Sequence, residues 1–240
     1  TSSAVTTHWK NPQLGMMKLA AVDEPYRPLF EFAVQTGGRI AEVLGVVWGD
    51  LDLDALTVSF THQLLRKGQR AKLKTKRSRR TLEITPALAA TLRGHKLATP
   101  DAGARDLVFI NRLGKGHDHR NIGGRVLARA LERSGLVAGD DGGKVGGEEN
   151  QPTFHSLRHT HASALIHAGW DIEEVSARLG HRDAAFTLRI YVHEYEAARH
   201  SQDRRNRLTQ LYGSANDTVD GDRQKETGEA TDTGGDHVEG

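Results

Sequence analysis

The chain has 240 residues, of which 37% are hydrophobic and 27% are charged, which is enough for one core of ordinary size in one or two domains. Cysteine is absent, which excludes disulfide bonds, a thiolate nucleophile and a cysteine-ligated zinc site, and which leads us to expect a cytoplasmic protein. No apolar stretch approaches the roughly 18 residues that a membrane span needs, and the first residues lack the pattern of a secretory signal.

The net charge of +2 conceals a division of the chain into a basic body and an acidic tail. From Gly213 onward there are eight acidic residues and two basic ones, so the tail carries −6 and residues 1–212 carry +8. A basic body predicts a polyanionic partner. The tail is rich in Gly, Thr, Asp and Glu, and this composition predicts disorder for residues 213–240.

Residues 1–22 show no sustained hydrophobic period, so we expect an irregular arm or linker before a main domain at residues 23–212. Acidic residues and Pro25 predict a helix start near Asp23, and Thr36-Gly-Gly38 predicts its end. Arg39 opens the next predicted helix, and Glu42 lies one turn further along the same face. An arginine directly after a glycine pair is well placed to bind a phosphate, although a surface Arg–Glu pair would give the same pattern.

Residues 56–64 alternate between apolar and polar side chains, and residues 71–75 and 80–84 predict two further short strands. Together they predict a three-stranded antiparallel sheet. Between residues 66 and 80 the chain carries nine basic residues and no acidic one: Arg66, Lys67, Arg70, Lys72, Lys74, Lys76, Arg77, Arg79 and Arg80. Protection of a solvated sheet edge needs fewer charges, so we expect this hairpin to lie along a nucleic-acid backbone.

The segment Thr153–Ser163 begins another predicted helix and places His155 and Arg158 on one face, three residues apart. Unpaired backbone N–H groups and the positive end of the helix dipole increase the attraction of this turn for an anion. A capped, solvated helix start would show the same spacing. The Gly-rich segment 139–151 before it is expected to be mobile. Further helices are predicted up to Gly180, directly before His181, and then at residues 184–191 and 194–211.

Five short segments, in this order, resemble the catalytic domain of the tyrosine recombinase (phage integrase) family. The resemblance covers roughly residues 24–195 and implies an α+β fold, mostly helical, with a small three-stranded antiparallel sheet. The segments are a first arginine box at Thr36-Gly-Gly-Arg-Ile-Ala-Glu42, a lysine hairpin at Lys74-Thr-Lys-Arg-Ser-Arg-Arg80, a His-x-x-Arg box at His155-Ser-Leu-Arg-His-Thr160, a third box at Leu179-Gly-His181, and a tyrosine at Tyr191.

The resemblance implies a site-specific DNA recombinase that cleaves and rejoins double-stranded DNA through a 3′-phosphotyrosyl intermediate, without metal, ATP or another cofactor. Such chemistry requires a nucleophile, cations that stabilise the phosphoryl oxygens and an acid for the leaving group. The implied catalytic residues are Arg39, Lys74, His155, Arg158, His181 and Tyr191.

Each of these residues has an expected role. Tyr191 would be the nucleophile, and Arg39 and Arg158 would bind the non-bridging oxygens. His155 and His181 would hydrogen-bond the phosphate, and His155 would also handle the tyrosine proton. Lys74 would protonate the departing 5′-hydroxyl. Glu42 would orient Arg39.

Several alternatives remain open at this stage. Lys72 and Lys76 compete with Lys74 as the acid, and Tyr195 competes with Tyr191 as the nucleophile. The family usually has an apolar residue where Gly38 stands. His155, His159 and His161 would be the ligands if the chain were a zinc-dependent hydrolase.

Three classes of function fit the pattern besides a metal hydrolase. They are a recombinase, a catalytically weak DNA-binding accessory module of the same fold, and a type IB topoisomerase-like enzyme. In the family that the chain resembles, the segment after the tyrosine docks on a neighbouring protomer. The resemblance therefore implies a tetramer on two DNA sites, with residues 194–211 as the docking segment.

Overall fold

The computed structural model describes residues 21–99, 102–134 and 153–212. The first 20 residues of the predicted arm, the segment 139–151 and the acidic tail 213–240 lie outside this part of the chain. The chain divides into two units, the first ending at Tyr195 and the second beginning at Glu196.

Two helices at the start of the first unit carry the first arginine box. Helix α1 spans Arg27–Thr36 after a 3₁₀ turn at Glu24–Tyr26, and helix α2 spans Ile40–Leu44. They are separated at Gly37, whose φ of 62° ends α1 in the left-handed conformation that glycine adopts most easily. The predicted break between the two helices is therefore confirmed, and it leaves Arg39 at the N-terminus of α2.

The strands form two small sheets. Strands β1 (Leu51–Asp52), β2 (Thr57–Phe60) and β5 (Arg80–Glu83) make a three-stranded antiparallel sheet with β2 in the middle. Strands β3 (His62–Leu64) and β4 (Arg70–Lys72) make a separate antiparallel pair. A three-stranded sheet was predicted correctly, but the assignment of residues 71–75 to it was wrong, because β1 takes that place.

The separate β3–β4 pair has a physical cause in α2 and its surroundings. The guanidinium of Arg70 donates to the carbonyl oxygen of Gly45 over 2.8 Å and forms an ion pair with Asp50. A side chain at Gly45 would lie 2.7 Å from the backbone of Leu64, so only glycine lets β3 pack so closely against the end of α2. These contacts hold the hairpin against the end of α2.

The remaining helices complete a mostly helical α+β domain, as the sequence predicted. They are α3 (Pro86–Leu97), α4 (Leu127–Arg133), α5 (Phe154–His167), α6 (Ile172–Leu179) and α7 (Ala184–Tyr212), with a π-helical turn at Asn121–Val126 before α4. Helix α7 combines the two predicted final helices and leaves helical geometry at Tyr191, where φ is −117° and ψ is 18°. Among residues 21–99, 102–134 and 153–212, none of the helices combines the length and apolarity that crossing a bilayer would require.

The core is centred on aromatic side chains of α1. The ring of Phe32 packs against Phe60 from β2 and against Phe109, with centroid distances of 5.9 and 5.5 Å. Phe30 packs against Phe154 at the start of α5, with a centroid distance of 5.7 Å. Helix α1 thus joins the sheet that carries the lysine hairpin to the helix that carries the His-x-x-Arg box.

The close packing of Gly37 against α5 leads to a prediction about stability. A methyl group on Gly37 would lie 2.6 Å from Cδ2 of His161, whereas Gly114, with a similar φ of 70°, has open space around it. Gly114→Ala should cost about 1–2 kcal/mol through its backbone conformation alone. Gly37→Ala should cost a further 1–3 kcal/mol or so through overpacking. Urea unfolding of both variants measures the difference, and equal losses would contradict the packing argument.

Candidate active site

The buried carboxylate of Glu42 organises one side of the site. Glu42 is only 1% exposed, and it accepts hydrogen bonds from the backbone N–H and the Nη1 of Arg39, both at 2.9 Å, and from the Nη2 of Arg80 at 3.0 Å. Burial alone would raise the pKa of Glu42, but the charges and hydrogen bonds of Arg80 and Arg39 outweigh burial and lower it. The carboxylate therefore stays ionised and fixes both guanidinium groups. The predicted pairing of Glu42 with Arg39 is confirmed.

Two of the nine hairpin bases, Arg80 and Arg70, form ion pairs within the protein. The side chain of Arg80 is 6% exposed, lies over the ring of Phe60 at 4.6 Å, and donates through Nε to the carbonyl oxygen of Arg178. Arg70 pairs with Asp50. The carboxylates that neutralise them lie outside residues 66–80, so the absence of acids within that segment was misleading. The other seven bases are exposed, namely Arg66, Lys67, Lys72, Lys74, Lys76, Arg77 and Arg79.

Arg158 joins the first and third boxes. Its side chain is buried, and Nη1 and Nη2 donate to the carbonyl oxygens of Gly37 and Leu179 over 2.7 and 2.6 Å. Burial, followed by the positive charges of Arg39 and Arg80, lowers the pKa of Arg158 to about 9, which still leaves it cationic at neutral pH. Three arginines thus lie close to one carboxylate, and this excess of positive charge suits a phosphate.

His181 is held in one orientation by α7. It directly follows Gly180, which ends α6 with a φ of 66°. Its Nδ1 lies 2.7 Å from the hydroxyl of the fully buried Thr187, and its ring meets that of Phe186 edge-on at 5.1 Å. Because Nδ1 is engaged, a substrate would be bound through Nε2. Thr187 was not among the predicted site residues. The only sign of it in the sequence is a hydroxyl side chain in the first turn of the helix that follows His181.

The two predicted phosphate-binding histidines are neutral at pH 7. Partial burial, followed by the charges of His159, Arg158 and Arg39, lowers the pKa of His155 to about 4. Burial and the charges of Arg158 and Arg39 lower the pKa of His181 to about 3. An anion bound among these groups would raise both pKa values, because it would stabilise the imidazolium forms.

Tyr191 lies inside the cluster, next to a histidine that was not predicted for this place. Its side chain is 1% exposed, and its hydroxyl oxygen is 2.8 Å from Nδ1 of His159. His159 in turn meets the ring of His155 edge-on, with a centroid distance of 4.8 Å. We predicted that His155 would handle the tyrosine proton, whereas the structure places His159 at the phenol and His155 on the exposed side. Tyr195, the alternative nucleophile, is partly exposed.

The lysine hairpin reaches the site through its loop. Lys74 is exposed in the loop between β4 and β5, and its amino group forms no hydrogen bond with residues 21–99, 102–134 or 153–212. The loop itself is anchored, because Nη1 of Arg77 donates to the carbonyl oxygen of Arg182 over 2.7 Å, next to His181. Lys72 and Lys76 are also exposed, so the choice among the three lysines stays open.

An open cleft lies beside Arg39 and His181. Its volume is about 440 Å³, and most of its polar lining is basic. The one acidic residue, Asp183, accepts the backbone N–H of Phe186 and so caps the start of α7. The lining residues are Arg39, His181, Arg182, Asp183, Phe186 and Arg189.

The zinc alternative is not supported by the geometry. His161, the third ligand in that hypothesis, accepts a hydrogen bond at Nε2 from Nε of Arg178 over 3.2 Å and also bonds the backbone of Val34. It therefore faces α1 and α6, and it does not join His155 and His159. Within the part of the chain that the structure describes, no three His, Cys, Asp or Glu side chains are grouped to hold a metal ion.

A cationic cluster beside a tyrosine hydroxyl is the arrangement of a covalent phosphoryl-transfer site. Comparison with known proteins identifies the family. The sequence model of the phage integrase family matches residues 14–198, which is most of the chain. The chain belongs to this family.

Relatives of known name agree with this assignment. The chain is 27% identical over 208 residues to a tyrosine recombinase XerC-like protein of Caldanaerobacter subterraneus subsp. tengcongensis, covering 77% of this chain and 50% of that protein. It is 31% identical over 167 residues to tyrosine recombinase XerC of Xylella fastidiosa strain 9a5c. This match covers 70% of this chain and 48% of that protein. The chain thus spans about half the length of the curated relatives that it matches.

A solved structure supports the fold. The integrase of transposon Tn1549, determined in complex with a circular intermediate DNA, superposes with a TM-score of 0.66 at 19% sequence identity. The match covers 85% of this chain and 66% of that one.

The buried histidines lead to a prediction about pH. Burial, followed by the charges of Arg178 and Arg158, lowers the pKa of His161 to about 3, and His181 has a similar value, whereas an unfolded histidine titrates near 6.5. Because the unfolded chain binds more protons between these values, the free energy of unfolding should fall as pH drops from 6.5 towards 3. Between its two pKa values, each such histidine contributes about 1.4 kcal/mol per pH unit to this fall in the free energy of unfolding.

His161→Gln should remove one of these contributions and so reduce the slope of unfolding free energy against pH, measured by urea unfolding between pH 7 and 4.5. His167→Gln, at the exposed end of the same helix, is the control for the loss of a histidine. An unchanged slope for His161→Gln would contradict the assignment of a neutral, buried His161.

Proposed function

We propose that residues 23–212 are the catalytic domain of a site-specific DNA recombinase, with residues 1–22 as a linker and residues 213–240 as an acidic tail. The enzyme would cleave and rejoin DNA through a 3′-phosphotyrosyl bond to Tyr191, without metal or ATP. The observation that carries the proposal is the position of the Tyr191 hydroxyl in the same cluster as His159 and Arg158, with Arg39 and His181 beside them.

The proposed cleavage step assigns a role to each group. Arg39 and Arg158 bind the non-bridging oxygens of the scissile phosphate, and His155 and His181 donate hydrogen bonds to the phosphate. The bond from Tyr191 Oη to phosphorus forms as the bond from phosphorus to the 5′-oxygen breaks. Lys74 gives a proton to that oxygen. The tyrosyl ester conserves the bond energy, so a second 5′-hydroxyl can reverse the step and rejoin a strand.

Double-stranded DNA is the substrate that fits the surface around the site. Seven exposed bases on the hairpin can track a phosphate backbone, and Arg77 anchors the loop beside Arg182, the residue that follows His181. The Tn1549 integrase, whose fold this chain shares, was determined with DNA bound. A DNA substrate also fits the expected cytoplasmic location.

The relatives favour a recombinase over the two alternative functions. The named relatives are tyrosine recombinases, and the family match spans residues 14–198. An accessory DNA-binding module would need the arginines but would have no use for a tyrosine hydroxyl held 2.8 Å from a histidine nitrogen. A type IB topoisomerase-like enzyme shares the chemistry, and strand exchange between two duplexes separates it from a recombinase.

The first test is covalent trapping on DNA. The protein is mixed with a nicked duplex that carries the junction sequence of its mobile element, in the presence of EDTA, and adducts that resist SDS are counted. We expect an adduct whose attachment site maps to Tyr191 by mass spectrometry. Tyr191→Phe should abolish the adduct and leave DNA binding intact, because it removes only the hydroxyl.

Tyr195→Phe is the matched control, since it removes the same atom one helical turn further along α7. It should form the adduct at nearly the rate of the original chain. An adduct on Tyr195 would overturn the assignment of the nucleophile. DNA binding with no adduct in any variant would favour the accessory-module alternative.

We also propose that recombination requires a tetramer. One chain contains both the tyrosine and the arginines of its site, so each protomer would cut one strand. Two duplexes have four strands, and a complete exchange therefore needs four protomers. The mass of a complex that holds two DNA sites, measured by multi-angle light scattering, should correspond to four chains. One protomer per duplex would contradict this.

A further inference from the structure

We propose that His159 is a catalytic residue that accepts the phenolic proton of Tyr191 at its Nδ1 during cleavage and returns it during rejoining. This inference rests on the function proposed above. It names the proton acceptor for the nucleophile, a role that the sequence pattern had assigned to His155.

The distance and the burial both support this role. The separation of 2.8 Å between Tyr191 Oη and His159 Nδ1 is within the range for direct proton transfer. Tyr191 is 1% exposed, so bulk water has little access to its hydroxyl. A phenol with a pKa near 10 needs a base at neutral pH, and the base must therefore lie within the protein.

The backbone fixes both partners. His159 lies in the middle of α5, next to Arg158, whose guanidinium is bound to two backbone carbonyls. Tyr191 leaves helical geometry within α7, and its ring comes within 5.6 Å of the His159 ring, measured between centroids. The pair joins two elements that are 32 residues apart in sequence.

The neighbouring His155 has a different environment. It lies one turn earlier on the same face of α5 and is more exposed than His159, which places it where DNA would approach. His159 is half-buried between His155 and Tyr191. The two histidines therefore have different tasks: His155 binds the phosphate, and His159 accepts the proton of the tyrosine.

The proton transfer balances with the cleavage step. As the Oη–phosphorus bond forms, the Oη–H bond breaks and an N–H bond forms at Nδ1 of His159, which requires that its neutral form carry its hydrogen on Nε2. The phosphate in the site offsets the positive charge that this creates beside Arg158. In rejoining, the imidazolium returns the proton to the departing phenolate, so one residue serves both directions.

The test is single-turnover cleavage of the nicked duplex by variants of the full chain. His159→Ala should slow adduct formation on Tyr191 by about 10²–10⁴-fold, the usual range for general acid–base catalysis, with unchanged DNA affinity. Added imidazole should restore part of the rate. His167→Ala, on the same helix, is the control for the loss of a histidine and should react like the original chain.

Two further arms separate proton transfer from positioning. His159→Asn places a hydrogen-bonding atom near the former Nδ1 but cannot carry the proton, so it should be as slow as His159→Ala. Replacing Tyr191 by a difluorotyrosine, whose phenol is more acidic, should shrink the defect of His159→Asn. If His159→Ala fails to fold, the His159→Asn and difluorotyrosine experiments still test whether His159 accepts the proton.

The outcomes distinguish the two proposals. If the original chain binds DNA but forms no adduct, the proposed function fails and the role of His159 fails with it. If it forms the adduct on Tyr191 and His159→Ala reacts at the same rate, only the role of His159 is overturned. Full activity of His159→Asn, with no effect of imidazole on His159→Ala, would show that His159 merely positions the tyrosine.

Discussion

The ionised carboxylate of Glu42 is the constraint on which the geometry of the site depends. It is buried, and it binds Arg39 from its own helix and Arg80 from the sheet. A buried charge without partners would be strongly destabilising. The two arginines therefore compensate the buried charge of Glu42, and the carboxylate in turn holds both arginines in place. Arg80 also binds the carbonyl oxygen of Arg178, which ties the sheet to α6. One acidic residue thus sets the positions of three segments that are distant in sequence.

Charge balance explains why such a site suits phosphate. Arg39, Arg80 and Arg158 outnumber the single carboxylate of Glu42. Burial, followed by nearby positive charges that include Arg158 and Arg39, lowers the pKa values of His155 and His181. The protein avoids further positive charge by keeping these histidines neutral. In the proposed reaction, a phosphodiester would bring the missing negative charge. The groups that would bind it are already arranged in the structure, which would reduce the reorganisation that catalysis needs.

Local patterns predicted much of the fold and the order of the site residues. The Gly37–Gly38 break, the Arg39–Glu42 pair and the placement of His181 after Gly180 all follow from spacings within one or two helical turns. Contacts across long separations could not be predicted in this way. Two of the hairpin bases are neutralised by acids 20 and 38 residues away. Neither pairing could be recognised from the residues next to it in the sequence.

His159 shows the same limit within the site. Its spacing from His155 was visible, but an i, i+4 pair of histidines fits a metal site, a phosphate site or a structural role equally well. Only the position of Tyr191, which lies on another helix, shows which atom the ring faces. The strand order has a similar origin, because residues 71–72 pair with β3 and β1 takes the expected place beside β2.

Gly38 shows how a departure from a family pattern can be compensated in three dimensions. The family usually has an apolar side chain there, but a methyl group on Gly38 would lie 2.8 Å from Val43 and 3.1 Å from the ring of Phe60. The space beside position 38 is already filled by Val43 and Phe60. A larger residue at position 38 would therefore require smaller side chains at positions 43 and 60, and these positions should be exchanged together.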